Sequence, residues 1–209
     1  SLTDRYPIAN VQPGKASDRI HFGTHTNMSR EFNRYVEKQF ALRMKRFDLD
    51  PVRASGPIAW PGERCFRTRG ERTVSWLCIF PNYKGLNEFN IELAWSHLGE
   101  YPASCTARPT LQARPPDCFA QHAQGFIRLG EWADPPRASW GADSLLEPLA
   151  MFQVAQVAPL ADPLIEDAIR TIEVVGLPLM AQARAARAAF QAFCEAPSSG
   201  SGPASQPGP

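Results

Sequence analysis

Two apolar runs separated by turn residues constrain the fold of this chain more than any other feature. Residues 72–80 are rich in β-branched and aromatic side chains. Residues 88–96 alternate cleanly, with Phe89, Ile91, Leu93 and Trp95 on one face of the predicted strand and Asn90, Glu92, Ala94 and Ser96 on the other. The connecting residues are typical of turns: Pro81, Asn82, Lys84, Gly85 and Asn87. The sequence therefore predicts an antiparallel hairpin with a longer loop, one buried face and one more polar face.

Helical periodicity flanks this hairpin on both sides. Apolar residues three to four apart predict an amphipathic helix from Ser29 to Phe47. After the hairpin, the same spacing predicts helices over 143–157, 162–175 and 179–196, the second of them capped by Asp162 and ended by Gly176.

Shorter elements complete the predicted sheet. Strands are expected over 64–69 and 126–132, whereas prolines rule out regular structure over 51–64 and indicate a loop over 101–117. The whole pattern predicts an α+β fold: a small antiparallel sheet of three to five strands packed against N-terminal and C-terminal amphipathic helices.

The 209 residues divide by composition into three parts. Residues 1–27 mix proline, glycine and polar residues without a period, and we expect an extended arm there. Residues 28–196 are expected to form a single α+β domain. Residues 197–209 contain only Pro, Ser, Gly, Ala and Gln, which predicts a disordered tail.

Charge and cysteine content favour a cytoplasmic protein. The formal net charge is only +1, which argues against a chain devoted to nucleic acid. No apolar run approaches the roughly 20 residues of a membrane span, and the N-terminal residues lack the apolar core of a secretory signal. Five irregularly spaced cysteines are typical of reduced thiols rather than of a disulfide framework.

Three phrases of the sequence resemble a known family. They are Phe126-Ile-Arg-Leu-Gly-Glu-Trp132, Ala138-Ser-Trp-Gly141 and Ile169-Arg-Thr-Ile-Glu-Val-Val-Gly-Leu-Pro178. Their order, after an N-terminal helix and a strand hairpin, is similar to a bacterial family known only as domain-of-unknown-function family 4304. The resemblance covers about residues 29–182 and departs from the family in the long 97–123 loop and the added C-terminal helix. It implies a compact α+β fold and transfers no catalytic residue.

Chemistry-bearing residues are scattered through the sequence. Cys105, Cys118 and His122, with His97 upstream, lack the paired spacing of a structural zinc site, and His21 and His25 have no carboxylate companion. No phosphate-binding glycine loop or nucleophile motif is present in the sequence. We therefore predict no metal, no cofactor and no catalytic residue. An enzyme whose site is assembled from His97, Glu100, Cys118 and His122 is kept as an alternative.

The two halves of the chain differ in charge. Residues 30–72 contain 11 Arg and Lys against 6 Asp and Glu, whereas residues 143–176 contain 6 acids against Arg170 alone. Either the two segments pack together and neutralise each other, or one exposed face attracts a partner of opposite sign. Candidate contact residues are the arginines and tryptophans next to the predicted strands and turns: Arg67, Arg69, Arg72, Trp60, Trp132 and Trp140.

These features together predict a non-enzymatic protein-interaction domain, such as a bacterial cognate inhibitor or accessory protein. Its partner would be another protein, bound at the sheet edge or at a charged helix face. A second alternative is a single-stranded nucleic-acid binder, in which Phe66 and Trp76 would stack on bases among the surrounding arginines.

Overall fold

The computed structural model describes residues 23–52, 64–70, 72–82, 86–102, 107–110, 112–141 and 157–196, with side chains from Arg30 onward. Five α-helices and six strands lie in these residues. The helices are α1 (Gly23–Arg43), α2 (Pro115–Gln121), α3 (Ala158–Thr171), α4 (Leu177–Ala185) and α5 (Arg187–Glu195). The strands are β1 (Leu49–Val52), β2 (Arg64–Thr68), β3 (Val74–Pro81), β4 (Glu88–Ser96), β5 (Gln124–Arg128) and β6 (Trp140–Gly141).

The strands form one antiparallel sheet in the order β1-β2-β3-β4-β5, with β6 also paired to β4. The predicted hairpin is its centre: β3 and β4 pair from Val74 opposite Ser96 to Pro81 opposite Phe89. Helices are the first and the last of the described elements, so the predicted α+β class is confirmed. Within the described residues, no helix is both long enough and apolar enough to cross a membrane.

Two strands were not predicted from sequence. β1 contains Pro51, and prolines were expected to exclude regular structure there; because β1 is an edge strand, the missing amide donor of proline costs no ladder bond. β6 is only two residues long, and its pairing of Trp140 with Phe89 depends on contacts distant in sequence. The predicted strand over 126–132 is shorter than expected, since a 3₁₀ turn begins at Leu129.

The main core lies between one face of the sheet and helices α1, α3 and α4. Phe40 of α1 packs edge-on against Phe89 of β4 with ring centroids 5.3 Å apart, and both side chains are fully buried. The predicted apolar stripes of α1 and α3 supply the helical side of this core: Phe32, Val36, Phe40, Met44, Leu164, Ile165, Ala168 and Ile169. Burial of these stripes, rather than helix propensity, fixes where the helices lie on the sheet.

The opposite face of the sheet is less polar than predicted. Ala94 and Ser96 were expected to face water, yet both are buried. Tyr101 covers part of this face, with its ring centroid 5.4 Å from that of Trp76 and 5.8 Å from that of Phe126. A second, smaller cluster of buried residues results, made of Cys65, Val74, Trp76, Cys78 and Ala94.

The helix boundaries differ from the predicted ones. α1 begins at Gly23 rather than at Ser29, inside the segment expected to be an extended arm, because no proline or glycine interrupts residues 24–28. α3 begins a turn before Asp162, so Pro163 lies within the helix. Gly176 does not end it: a π-helical turn over 172–176 leads directly into α4.

Two further predictions differ from the structure, and three fall on residues that the structure does not describe or describes only in part. The predicted third C-terminal helix is interrupted at Ala186 and forms α4 and α5. The loop expected over 101–117 gives way to α2 at Pro115, because proline is well accommodated in the first turn of a helix. The helix predicted over 143–157, most of the arm over 1–27 and the tail over 197–209 lie outside the described residues.

Candidate protein-interaction surface

Arginines neutralise the acidic helix α3 and the turn that follows it. Arg43 of α1 pairs with Asp162 at 3.3 Å and also with Glu166. Arg46 pairs with Glu173 at 2.6 Å, and Arg137 pairs with Asp167. All four carboxylates described between 157 and 176 are therefore matched by a cation.

Uncharged donors reinforce two of these carboxylates. The Tyr35 hydroxyl donates to Asp162 at 2.9 Å, and the indole N–H of Trp140 donates to Asp167 at 2.8 Å. Burial, followed by the neighbouring Asp162, raises the pKa of Tyr35, which keeps this hydroxyl a donor at physiological pH. The acidic segment is thus part of the packing of α1 on α3, as the neutralising interpretation of the charge pattern predicted.

The opposite side of α1 carries cations without such partners. Arg30, Arg34 and Lys38 of α1 and Lys45 of the 3₁₀ turn that follows it (Met44–Arg46) are exposed, and no carboxylate of the described residues forms an ion pair with them. At about 100° per residue, the three positions on α1 fall within an arc of roughly 80° that faces away from the core stripe, and Lys45 follows them in the 3₁₀ turn. We call these four residues the α1 basic face.

A shallow groove of about 430 Å³ lies beside the α1 basic face. Arg64 of β2 forms its far wall and reaches Glu37 at 3.4 Å. Leu42 is 49% exposed and offers an apolar contact among the charges. The residues that line the groove are Arg34, Glu37, Lys38, Ala41, Leu42, Lys45 and Arg64.

Glu37 is the single acid among the described residues that line this groove, and it is partly buried. Burial raises the pKa of Glu37, while the neighbouring Arg64 and Arg34 act in the opposite direction. Four cations against one partly buried carboxylate give the groove a positive potential at neutral pH. An anionic partner would be attracted there, and Leu42 would add apolar contact area.

The arginines predicted from sequence lie elsewhere on the molecule. Arg69 pairs with Asp48 at 3.2 Å and with Asp50 at 2.6 Å, and it lines a separate groove of about 390 Å³ near α4. Arg67 is exposed on β2, opposite Asp50 in the register. Arg72 is exposed and its carbonyl oxygen accepts a hydrogen bond from Arg187 at 3.1 Å. None of the three lines the α1 groove.

The predicted tryptophans are not brought together at a surface. Trp140 is 1% exposed and stacks on Phe89 with centroids 5.8 Å apart, so its side chain belongs to the core. Trp132 is half-buried and packs against the main core. Trp60 lies outside the described residues.

The structure places the residues of the enzyme alternative in different environments, two of them buried and two exposed. His97 is 4% exposed, and its ring nitrogens are hydrogen-bonded to the Thr73 hydroxyl at 2.9 Å and the Phe119 carbonyl at 2.7 Å. Cys118 is buried, and burial raises the pKa of its thiol. His122 and Glu100 are exposed. Among the described residues, no group of three or more His, Cys, Asp or Glu could hold a metal ion.

The stacking platform of the nucleic-acid alternative is buried as well. Phe66 is 5% exposed and belongs to the main core, whereas Trp76 is 3% exposed and belongs to the second cluster. The two rings therefore lie on opposite faces of the sheet. Cys105 and His21 of the other candidates lie outside the described residues, and the side chain of His25 is likewise not described.

Sequence reasoning missed Lys38, Leu42 and Lys45 as surface candidates. For Lys38 and Leu42 the signal was present in the helical period, because they occupy the side of α1 opposite its apolar stripe, and Lys45 follows in the 3₁₀ turn. Which cations remain without an ion pair depends on contacts distant in sequence, because the pairs formed by Arg43 and Arg46 join residues more than 100 positions apart.

The fold and this surface define the chain as an α+β domain with a basic helix face. The chain matches no protein-family model, and comparisons with curated proteins and with solved structures give no match. The resemblance to family 4304 accordingly stays a prediction.

Proposed function

We propose that this protein is a non-enzymatic interaction domain that binds an acidic surface of a partner protein through the α1 basic face and its groove. One observation carries the proposal. The described carboxylates of the α3 segment form ion pairs with arginines of the same chain. No described acid forms an ion pair with Arg30, Arg34, Lys38 or Lys45. The positive charge left on α1 is available to a molecule outside this chain.

A protein partner agrees better with this surface than a nucleic acid does. Leu42 adds exposed apolar area to the groove beside the charges, and protein interfaces combine apolar and charged area in this way. Binding of single strands needs exposed rings for base stacking, and the rings first considered for it, Phe66 and Trp76, are buried. A cognate inhibitor or accessory subunit, acting by covering an acidic region of its target, is the class of function we infer.

Site-specific photo-crosslinking tests this proposal. A photoreactive amino acid at Leu42 should capture a discrete protein from a lysate of the source cells, whereas the same group at Val174 should not. Val174 is the matched control because it is 65% exposed but lies beyond α3, away from the groove. Identical products at both positions would contradict the proposal. Products at Leu42 that nuclease removes would replace it with the nucleic-acid alternative.

A further inference from the structure

Two cysteines face each other directly across neighbouring strands. Cys65 of β2 is the register partner of Cys78 of β3. Both belong to the second buried cluster, so their side chains lie on the same face of the sheet. Directly opposite residues of an antiparallel pair have Cα atoms about 4.5 or 5.5 Å apart, depending on the hydrogen-bonding of the pair. Both separations fall within the range that a disulfide spans, about 4.4–6.8 Å.

We propose that Cys65 and Cys78 are a reversible disulfide site, oxidised by low-molecular-weight disulfides such as oxidised glutathione. Both residues are reduced in this structure, and the Cys78 thiol contacts the Tyr101 hydroxyl at 3.9 Å. A buried pair of this kind supplies both sulfurs of the bond from fixed positions. Neither strand has to be displaced along the sheet to form it.

The oxidant reaches Cys65 from the edge of the sheet. Cys65 is 5% exposed and Cys78 1% exposed, so local opening must precede reaction. β1 has four residues, and its last residue, Val52, pairs with Cys65. Separation of this short edge strand uncovers Cys65 while β3 stays paired to β4. Cys65 is therefore the first thiol to react.

The exchange balances in two steps. The Cys65 thiolate attacks one sulfur of oxidised glutathione, which forms a mixed disulfide and releases one glutathione thiolate. The Cys78 thiolate then attacks the Cys65 sulfur and releases the second glutathione. Two electrons pass from the protein thiols to glutathione, and their two protons end on the two glutathione thiols.

Peptide mapping of the intact wild-type chain tests the site. The folded protein is incubated with oxidised glutathione, denatured in excess N-ethylmaleimide and digested with trypsin. The expected product is a disulfide between peptides 65–67 and 73–84, which disappears after incubation with reduced glutathione. Cys194 is exposed and should carry glutathione instead, which confirms that the oxidant was active.

Three outcomes would overturn the proposal. They are maleimide on both Cys65 and Cys78, glutathione on each of them separately, or a bond from either one to another cysteine. A Cys65→Ala variant is the matched control, because it keeps Cys78 and should yield Cys78 bearing maleimide with no linked peptide. The mapping of the wild-type chain stands without this variant if the variant does not fold.

Discussion

His97 joins the sheet to two short helices, α2 and α5. It follows β4, its ring contacts Thr73 and the carbonyl of Phe119 in α2, and Phe190 of α5 stacks on it at 4.8 Å. A carbonyl only accepts, so Nε2 carries the proton and neutral Nδ1 accepts from the Thr73 hydroxyl. The arrangement suits an uncharged ring, and burial lowers the pKa of His97 below its ordinary value of 6.5.

The stability of the fold should therefore fall as the pH falls through the slightly acidic range. Because the folded pKa of His97 lies below the unfolded value, the unfolded chain binds the proton more readily, and stability is full only above about pH 6.5. Urea midpoints at pH 7.5, 6.5 and 5.5, values chosen to bracket the histidine range, should decline in that order. His97→Gln should flatten the decline and exposed His122→Gln should not; equal profiles for the two variants would refute the assignment.

Gly125 is required by close approach rather than by backbone conformation. It is the register partner of Trp95, and a Cβ there would collide with the Trp95 ring and lie 2.5 Å from the Ala107 carbonyl oxygen. Trp95 is fully buried, so its ring cannot move aside without disturbing its edge-on contact with Phe119. We predict that Gly125→Ala lowers the free energy of unfolding by about 1–3 kcal/mol, as overpacking does. Urea denaturation measures it, and an unchanged midpoint would contradict this packing.

At the scale of elements, α3, the π-helical turn and α4 form one continuous helical segment. Gly176 has an ordinary helical φ of −62° and lies against Leu129 and Leu77. Glycine after an apolar stripe commonly ends a helix, and that rule failed here because the packing partners hold the backbone helical. The position has room for a methyl group, whose Cβ would be 3.5 Å from Leu129 and 3.6 Å from Leu77.

Gly176→Ala should accordingly stabilise the protein by about 0.5–1 kcal/mol, mainly by restricting the unfolded chain. Thermal and urea unfolding measured alongside Gly125→Ala give the comparison, since the two substitutions should change stability in opposite directions. A loss of stability at position 176 would show that the helix cannot accept a side chain there.

The last described helix, α5, is the least buried of the five helices. None of its residues is buried, and it is fixed by the Phe190 stack on His97 and by Arg187, which donates to the His97 carbonyl at 2.7 Å. An element with so little buried surface opens locally before the rest of the fold.

Phe190→Ala should release α5 without unfolding the sheet. Hydrogen–deuterium exchange should become several-fold faster over 187–195, whereas exchange in β3 and β4 should stay as in the wild type. Phe193→Ala is the matched control, because Phe193 is 57% exposed and should alter neither region. Faster exchange across the whole sheet would show that α5 is integral to the fold.

At the scale of the whole molecule, the acidic and the basic segments of the sequence have different roles. The acids of α3 and its turn serve internal packing, and the cations of α1 divide into an inner set and an outer set. Arg43 belongs to the inner set and Lys38 to the outer. Exposed charges contribute little to stability. Substitution of the outer cations should therefore change the free energy of unfolding only slightly.

The parts of this structure that could be predicted from the sequence are those set by local patterns. The β3–β4 hairpin and the core face of α1 follow from alternation and helical period within a few residues. β1, the burial of Trp140 and the passage of the helix through Gly176 depend on partners distant in sequence: Thr68, Phe89 and Leu129. The candidate surface could be predicted only in part. The sequence shows the helical period of α1, but it does not show which arginines pair with the acids of α3.

The most direct test compares two double charge reversals of equal size. Lys38→Glu/Lys45→Glu alters the α1 basic face, and Arg114→Glu/Arg170→Glu alters exposed cations elsewhere. Both proteins should unfold within about 0.5 kcal/mol of the wild type. Retention of the partner captured at Leu42 should fall at least roughly tenfold for the first variant and stay near the wild-type level for the second. Equal losses for the two variants, or retention by both, would contradict the assignment of the α1 basic face as the interaction surface.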